Sequence, residues 1–472
     1  MTPPKETRCA EGRDQPERIP REWGEVRTQC RVAWPSNLAR VNAAARRAVQ
    51  TRFTALLHHI DTEALGRAFR RQRRRASAGV DGITVADYEQ KLEANLHDLC
   101  HRVRTGRYRP QPVRRVYIPK VDGGQRPLGV PTLEDKIVQG AVAEMLSAIY
   151  EVDFLGFSYG FRPGRNPHGA LSSLHTAIMT RRVNWVLDAD IRSFFDSVDH
   201  QWMLRMLAHR IADPRVLRLV RMWLEAGILE SDEWHETEQG TPQGAGISPL
   251  LANIFLHYAL DLWVHQWRGR HARGRVSIVR YADDFVVGFE TAADARRMLA
   301  DLNERLAKFG LTLHEDKTRL IEFGRLPALA RRQRGERRPE TFAFLGFTHY
   351  CGWTRDGRFI AKRKTQSKRL TRKLTAMRQD ARRLMHRPLA EQHRWYASVL
   401  RGHYGYYGVP QNRRSLNGFL QEVRRIWFDC LRRRSQRNRR MGWDWFEAVI
   451  TRFPLPTPRI THHWTPSAAR CG

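Results

Sequence analysis

The sequence predicts an α+β fold: an antiparallel sheet backed by helices, followed by a basic helical region. Three observations carry that prediction. Two short β-rich apolar runs, residues 276–279 and 285–289, flank Tyr281-Ala282-Asp283-Asp284, which is the pattern of a strand–turn–strand hairpin. Apolar stripes at helical spacing stand on both sides of it: Leu250, Leu251, Ile254, Phe255, Tyr258 and Leu262 before, and Met298, Leu299, Leu302, Leu306 and Phe309 after. The composition then shifts, since residues 361–440 hold 23 Lys or Arg against 4 acids, a net +19.

Length and charge bound the rest. A chain of 472 residues is long enough for two or three domains, each with its own core. Lys and Arg number 82 against 49 acids, a net charge of +33, which favours a polyanionic partner, most simply a nucleic acid. A membrane partner is not expected, because no uninterrupted apolar span of about 18 residues exists. Residues 1–29 are charged and Pro-bearing, with no apolar core, so a signal peptide is not expected and a cytoplasmic location is. Cys9, Cys30, Cys100, Cys351, Cys430 and Cys471 lie far apart with no Cys-x-x-Cys spacing. Neither a zinc site nor a disulfide framework is therefore expected.

Taken in order, residues 1–36 are polar with scattered Pro and charge, and read as a loosely ordered extension. Helical periodicity begins at Asn37, with Leu56, Leu57, Ile60, Leu65 and Phe69 on helical faces and Asp61 as a cap between two helices. Arg70, Arg71, Arg73, Arg74 and Arg75 form a cluster that is either a solvated helix end or a phosphate contact. Residues 113–130 read as a β-hairpin turning at Asp122-Gly123-Gly124, with Lys120 and Arg126 flanking the turn. A bound anion would meet both, although most such pairs are simply solvated. A helix is expected over 133–150, with Ile137, Val138, Ala141, Met145 and Ile149 on one side.

The loop Ser158-Tyr159-Gly160-Phe161-Arg162-Pro163-Gly164-Arg165 mixes aromatic and basic side chains, a mixture suited to stacked bases and phosphates. A strand candidate at 184–188 runs into Asp190. Asp190 is either a helix-cap residue or a third member of the acid set. Asp283 and Asp284 are open to two readings as well: a solvated hairpin tip, or a pair facing a cation, since buried unpaired carboxylates are costly. Residues 239–249 form a tight polar turn. Thr291 and Asp294 mark a helix start, Gly310 its end, and Leu311-Thr312-Leu313 a returning strand. Residues 342–347 read as one more short strand, and three basic helices follow Ala361.

The ordered set Lys120…Arg126, Ser158-Tyr159-Gly160-Phe161-Arg162-Pro163, Asp190-Ile191…Phe195, Pro242-Gln243-Gly244 and Tyr281-Ala282-Asp283-Asp284 closely resembles the group II intron reverse transcriptase/maturase family. Leu345-Gly346-Phe347 and the basic helices extend the likeness, which runs from about Asn37 to Thr461. Tyr-x-Asp-Asp alone is a weak signal; the series in order is a strong one.

The resemblance implies a right-hand polymerase. Its fingers would span 37–181 and its palm 182–326, with a palm–thumb connection over 327–360. A helical thumb or maturase domain would span 361–454, and a tail 455–472. It implies catalytic carboxylates at Asp190, Asp283 and Asp284, which with the carbonyl of Ile191 would hold two Mg²⁺ ions. Mg²⁺ prefers hard oxygen ligands and substrate phosphates. Lys120, Arg126, Phe195 and Gln243 would meet the incoming deoxynucleoside triphosphate, with Phe195 excluding a 2′-hydroxyl. Arg162, Pro242, Gly244 and Tyr281 would lie along template and primer. Lys368, Arg369, Arg372, Lys373, Arg432, Arg433 and Arg434 would bind RNA.

The partners implied are a group II intron RNA, a target DNA, an RNA template and a DNA primer. The absence of a Cys/His zinc pattern after Phe453 implies the compact type without an endonuclease. The implied function is RNA-directed DNA synthesis with assistance to intron splicing and retrohoming. The alternatives are a domesticated or defence-associated reverse transcriptase without an intron, or a splicing factor that only binds RNA.

Overall fold

The computed structural model describes residues 33–119, 124–230, 233–235, 240 and 246–463. Among these the strands are β1 (Val113–Pro119), β2 (Gln125–Val130), β3 (Trp185–Asp190), β4 (Ile228–Glu230), β5 (Glu233–His235), β6 (Val276–Tyr281), β7 (Asp284–Phe289), β8 (Arg319–Glu322), β9 (Phe342–Phe344), β10 (Phe347–Trp353) and β11 (Phe359–Thr365). They form three sheets, ordered β2-β1-β4-β5, β6-β7-β3-β8 and β11-β10-β9. Helices and antiparallel sheets in one chain make the fold α+β, as expected.

The β6-β7-β3-β8 sheet is covered on both faces because its strands alternate apolar side chains on both. Leu187, Ala189, Ile278, Phe285, Val287 and Phe289 pack into the helical layer. Val186, Val279, Val286 and Ile321 join instead a cluster with the Pro167–Thr180 helix and the β9–β11 sheet. The helical layer is centred on Leu133–Tyr150, capped by the Thr132 side chain. Ile137, Val138, Val142, Met145, Leu146 and Ile149 are fully buried in it. Asp61 caps the Thr62–Arg70 helix by accepting from the Ala64 N–H, and that helix packs on Leu133–Tyr150. Within the basic cluster nearby, Arg71 pairs with Glu144 at 2.7 Å.

Three sequence expectations are corrected. The helix read through Leu250–Leu262 is interrupted by a π-helical turn, His257–Asp261, which sets Asp261 into the interior. Leu311-Thr312-Leu313 is not a strand; only Leu313 makes an isolated bridge, to Ile191, and the sheet's edge strand is β8. The run 342–347 is a hairpin rather than one strand, because Leu345 (φ 48°) and Gly346 (φ 82°) turn the chain between β9 and β10, as a two-residue turn with both central φ positive does. Elsewhere, β4 pairs in parallel with β1 through Val113↔Ile228.

The last region is helical. Ser367–Leu384, Leu389–Tyr407, Arg413–Arg433 and Trp443–Arg452 share a core of Leu374, Met377, Tyr396, Leu400, Phe419, Val423, Trp427 and Phe446. One more helix than expected is present.

Candidate active site

The β6–β7 hairpin turns on Ala282 and Asp283. Ala282 carries φ 58° at the first central position, where a two-residue turn of this kind favours Gly. Tyr281 and Asp284 close the hairpin as a pair, and on the other side of β7 Asp284 lies directly opposite Asp190 of β3. Asp188, two residues earlier on β3, shares Asp190's face. Residues 94 apart in sequence are thus brought together by strand register alone. The carboxylates occupy the end of the sheet face that β9–β11 seals further along.

These acids repel one another. Asp284 keeps some exposed surface, yet burial of its carboxyl, with Asp188, Asp283 and Asp190 nearby, pushes it well above the usual carboxylate range; Arg369 opposes that rise. Burial pushes Asp188 up to about 6, against the Arg319 guanidinium, which stands 3.6 Å away. The Lys317 ammonium donates to Asp190 at 2.9 Å. The strand end is also gripped by its backbone, for His314 N–H donates to the Asp190 carbonyl and Arg192 N–H to that of Thr312.

Beneath the turn lies a buried network. Arg280 and Asp261 form an ion pair with no solvent exposure on either side. Arg280 also donates to Asn253 Oδ1 at 3.1 Å, to the Ala282 carbonyl at 2.9 Å and to Ser158 Oγ at 2.8 Å. Asn253 Nδ2 in turn donates to the Gly160 carbonyl at 2.7 Å. Residues 157–159 run alongside β6 as a result: Tyr159 N–H donates to the Arg280 carbonyl and Arg280 N–H to that of Phe157. At Gly160 a Cβ would stand 2.3 Å from the Ala282 nitrogen, so only glycine lets this loop approach the turn so closely.

The other expected site residues fall in different places. Phe195 is half-buried in a short 3-10 turn after Ser193, whose φ is 45°. Gly240 presses on this turn, its Cβ position 2.9 Å from the Phe195 carbonyl. Arg162 is a correction. Its side chain is 3% exposed and paired with Glu151 at 2.9 Å, and it donates to the Leu155 and Ser158 carbonyls. It is a brace inside the loop and is not presented to nucleic acid. Arg126 has its backbone in β2, paired with Ile118; its side chain, and Lys120, Pro242, Gln243 and Gly244, lie outside the described residues.

Lys368, Arg369, Arg372 and Lys373 are exposed along Ser367–Leu384. Arg369, Arg372 and Lys373 line a cleft of about 500 Å³ with Thr365, His403 and Tyr407. Arg432 and Arg433 are exposed and Arg434 half-buried at the end of Arg413–Arg433, where Arg432 donates to the Arg439 carbonyl.

Sequence reasoning missed Asp188, Lys317, and the Arg280–Asp261–Asn253 network. A signal for the last was present: Arg280 interrupts an otherwise apolar strand, and such a charge is retained only when paired.

Residues 118–349 match the reverse transcriptase (RNA-dependent DNA polymerase) family, a span that contains every carboxylate of the cluster. The chain is 39% identical over 197 residues to the group II intron-encoded protein LtrA of Lactococcus lactis subsp. cremoris, covering 42% of this chain and 32% of LtrA. The chain is thus similar to reverse transcriptases and to a group II intron-encoded protein. Other relatives are protein YkfC of Escherichia coli, 36% identical over 238 residues, covering 44% of this chain and 62% of YkfC, and the putative COX1/OXI3 intron 1 protein of Saccharomyces cerevisiae, 28% identical over 285 residues, covering 50% of this chain and 34% of that protein. The match spans less than two thirds of the length of each of these relatives.

Reverse transcriptases use divalent metal ions, and the donor types here fit one. Asp190, Asp283 and Asp284 offer hard carboxylate oxygens, and the burial and mutual repulsion that raise Asp284 are conditions a cation relieves. Among the described residues no three Asp, Glu, His or Cys side chains stand as a ready-made metal cage. Mg²⁺ is more often held by one or two carboxylates with waters and substrate phosphates than by an all-protein cage. Also among the described residues, no helix is long and apolar enough to cross a membrane.

Proposed function

We propose that the chain is an RNA-directed DNA polymerase that also binds a group II intron RNA, assists its splicing and supports its retrohoming by DNA synthesis. The observation that carries this reading is the strand register that sets Asp190 opposite Asp284 at the Asp283 turn, within the span matching reverse transcriptases. The fold is read as a hand, with fingers before about residue 182, a palm on the β6-β7-β3-β8 sheet and a thumb after about residue 361.

In this reading Asp190, Asp283 and Asp284, with the Ile191 carbonyl, would hold two divalent ions, Mg²⁺ by the hardness of the donors. Bound there, they would supply activation of a primer 3′-hydroxyl and stabilisation of the pyrophosphate leaving group. The protein's own contribution is placement. Register and the Arg280 network fix the carboxylates, and Lys317 balances Asp190's charge. Tyr281 lies beside the primer end with Pro242 and Gly244 along the template. Lys120, Arg126 and Gln243 meet the deoxynucleoside triphosphate, and the Phe195 ring, held on its 3-10 turn, stands against the sugar's 2′ position.

Lys368, Arg369, Arg372, Lys373, Arg432, Arg433 and Arg434 contact RNA phosphates. Intron recognition rests on the +19 charge of residues 361–440 and on the likeness to a group II intron-encoded protein. The test is extension of a DNA primer on an RNA template with Mg²⁺ and deoxynucleoside triphosphates. Wild type is expected to extend and Asp284→Asn to fail; extension by the variant at the wild-type rate would overturn the assignment.

A further inference from the structure

The helix Leu389–Tyr407 ends against three partners from distant parts of the chain. Tyr406 donates its hydroxyl to the Leu345 carbonyl at 2.9 Å, and its ring stacks near Phe347, centroids 6.0 Å apart. The Tyr406 carbonyl in turn accepts from Nε2 of His168, 238 residues earlier, at 2.8 Å. His168 stands in the first turn of the Pro167–Thr180 helix, which packs on β6 and β11. This helix end also borders the carboxylates. Burial pushes the Tyr406 hydroxyl up to about 12, with Tyr407, Tyr281 and Asp284 adding to the rise and Arg369 opposing it.

The third partner is a later segment, residues 454–463. It leaves the helical core, where Leu455 and Ile460 pack and the Pro454 carbonyl accepts from His393 at 2.9 Å, and runs back over Gly408. Thr461 N–H and His462 N–H both donate to the Gly408 carbonyl, at 2.7 and 3.0 Å. Thr461 Oγ1 donates to the Tyr404 carbonyl at 3.0 Å. Glycine leaves room for this passage: a Cβ at Gly408 would stand 2.6 Å from Thr461 Oγ1 and 2.7 Å from the Arg459 carbonyl oxygen. His462 Nε2 then meets the Gly405 carbonyl at 2.7 Å, and its ring lies flat on that of His168, centroids 3.4 Å apart at 15°. A carbonyl only accepts, so both rings carry a hydrogen on Nε2.

We propose that His168 and His462 are positioning residues: their stack fastens residues 454–463 across the end of the Leu389–Tyr407 helix, and so sets how the basic helices stand over the carboxylates. The fastening rests on these contacts; its consequence, retention of the primer–template, rests on the polymerase reading. The Tyr406–Leu345 and Asn412–Thr365 bonds already join the helices to the β9–β10 turn and to β11. The histidine pair adds a third point, on a different helix, and three points fix an orientation that two leave free to rotate.

The titratable and charged groups facing His168 are His462 from the later segment, Tyr406 from the helix end and Arg363 from β11. Burial holds His168 below the usual histidine range against the Tyr406 carbonyl, with His462 and Arg363 adding to the effect. Two imidazolium cations stacked at 3.4 Å would repel each other. The fastening is therefore complete above the unfolded value of about 6.5 and is lost as pH falls below it.

The experiment uses the full chain with His168→Ala, His462→Ala, the double variant and His168→Gln. Hydrogen exchange at the Thr461 and His462 amides reads the fastening without catalysis. Protection relative to the unfolded rate is expected to fall about two- to tenfold in each Ala variant, what loss of one net hydrogen bond gives, and little further in the double. His168→Gln, whose amide can donate to the Tyr406 carbonyl, should lie between. In wild type protection should also fall between about pH 7.5 and 5.5, across the unfolded histidine value, and much less in His168→Gln. Affinity for a fluorescent primer–template, read by anisotropy, and product length per binding event should fall with protection in the Ala variants. Melting temperature, and kcat for a single nucleotide at saturating primer–template, should hold.

Unchanged protection in both Ala variants would overturn the proposal, and losses that add in the double variant would overturn the pairing. Lost protection with unchanged primer–template affinity and product length would overturn the positioning role. Wild type that shows the expected protection and affinity pattern but never extends a primer would count against the polymerase reading and leave the fastening standing.

Discussion

The carboxylate sheet and the basic helices that follow it are built on opposite principles. In the sheet, the proposed function depends on side chains from β3, β6 and β7 meeting at one corner, with a buried ion pair and three positive-φ residues near it. In the helices, apolar residues at helical spacing make a core, and the charges simply cover what is left. Lys368, Arg369, Arg372 and Lys373 point outward without the register that fixes the acids. Chemistry on a strand end needs placement to within about half an ångström, whereas phosphate binding needs charge within a Debye length, about 10 Å at 0.1 M salt. Damage should therefore be abrupt in the first region and graded in the second.

The largest expected effect is in the sheet. Replacing Asp283 and Asp284 with Asn should reduce DNA synthesis by more than the ten- to hundredfold typical of losing a metal's outer-shell partner. RNA affinity and assisted intron splicing should be nearly unchanged. Extension and low-Mg²⁺ splicing measured side by side will show it; if splicing is lost as fully as synthesis, the two regions are not separable.

Next is Arg280→Met, which strands the Asp261 carboxylate in the interior. A cost of about 3–5 kcal/mol is expected in urea denaturation. The double variant Arg280→Met with Asp261→Leu should recover much of it. A single variant as stable as wild type would remove the abrupt half of the comparison.

The helical region should respond by degrees. Replacing Lys368, Arg369, Arg372 and Lys373 with Gln should weaken RNA binding and flatten the plot of log affinity against log salt, by roughly 0.7–0.9 per lost phosphate contact. Arg369 stands apart in this set because it also acts on Asp284, so restoring it alone should recover more synthesis than binding. An unchanged slope would mean these charges meet only solvent.

Acid should loosen both regions alike. Burial lowers His257, in the π-helical turn, to about 4, with Arg280 and Arg162 adding to the effect and Asp261 opposing it. Burial, with Lys373, lowers His403 to about 4. Unfolded, each would titrate near 6.5. Between those values the unfolded chain binds more protons, so the stability each gives is complete above about 6.5 and is lost as pH falls toward 4. Melting temperatures across that window should decline, and less steeply in His257→Gln and His403→Gln. Equal slopes in these variants would assign the acid sensitivity to other groups.

The smallest effect is expected at Phe195→Val: a few-fold gain in ribonucleotide use with deoxynucleotide use largely kept, read from paired single-nucleotide incorporation rates. Unchanged discrimination would leave Phe195 as packing.

The sequence alone determined what short-range chemistry determines. The Leu133–Tyr150 and Ala292–Ala307 helices, the Asp61 and Thr291 caps and the β6–β7 hairpin follow from periodicity, capping and turn residues, each settled within a few positions. The excess of positive charge after Ala361 needed no fold to be read.

Only the tertiary structure decided the rest, because it depends on partners far away in the chain. Whether Asp190 caps a helix or faces Asp284 is a question of register between β3 and β7. Arg162 looked like a hand for phosphate until Glu151 and two carbonyls enclosed it. The π-helical turn that lowers Asp261 toward Arg280 leaves no mark on an apolar stripe. Leu345-Gly346 reads as strand until β9 and β10 pair across it. Burial and register are properties of the assembled chain: the same Arg is a solvated contact on one surface and a structural brace in another, and nothing in its neighbours along the sequence tells which.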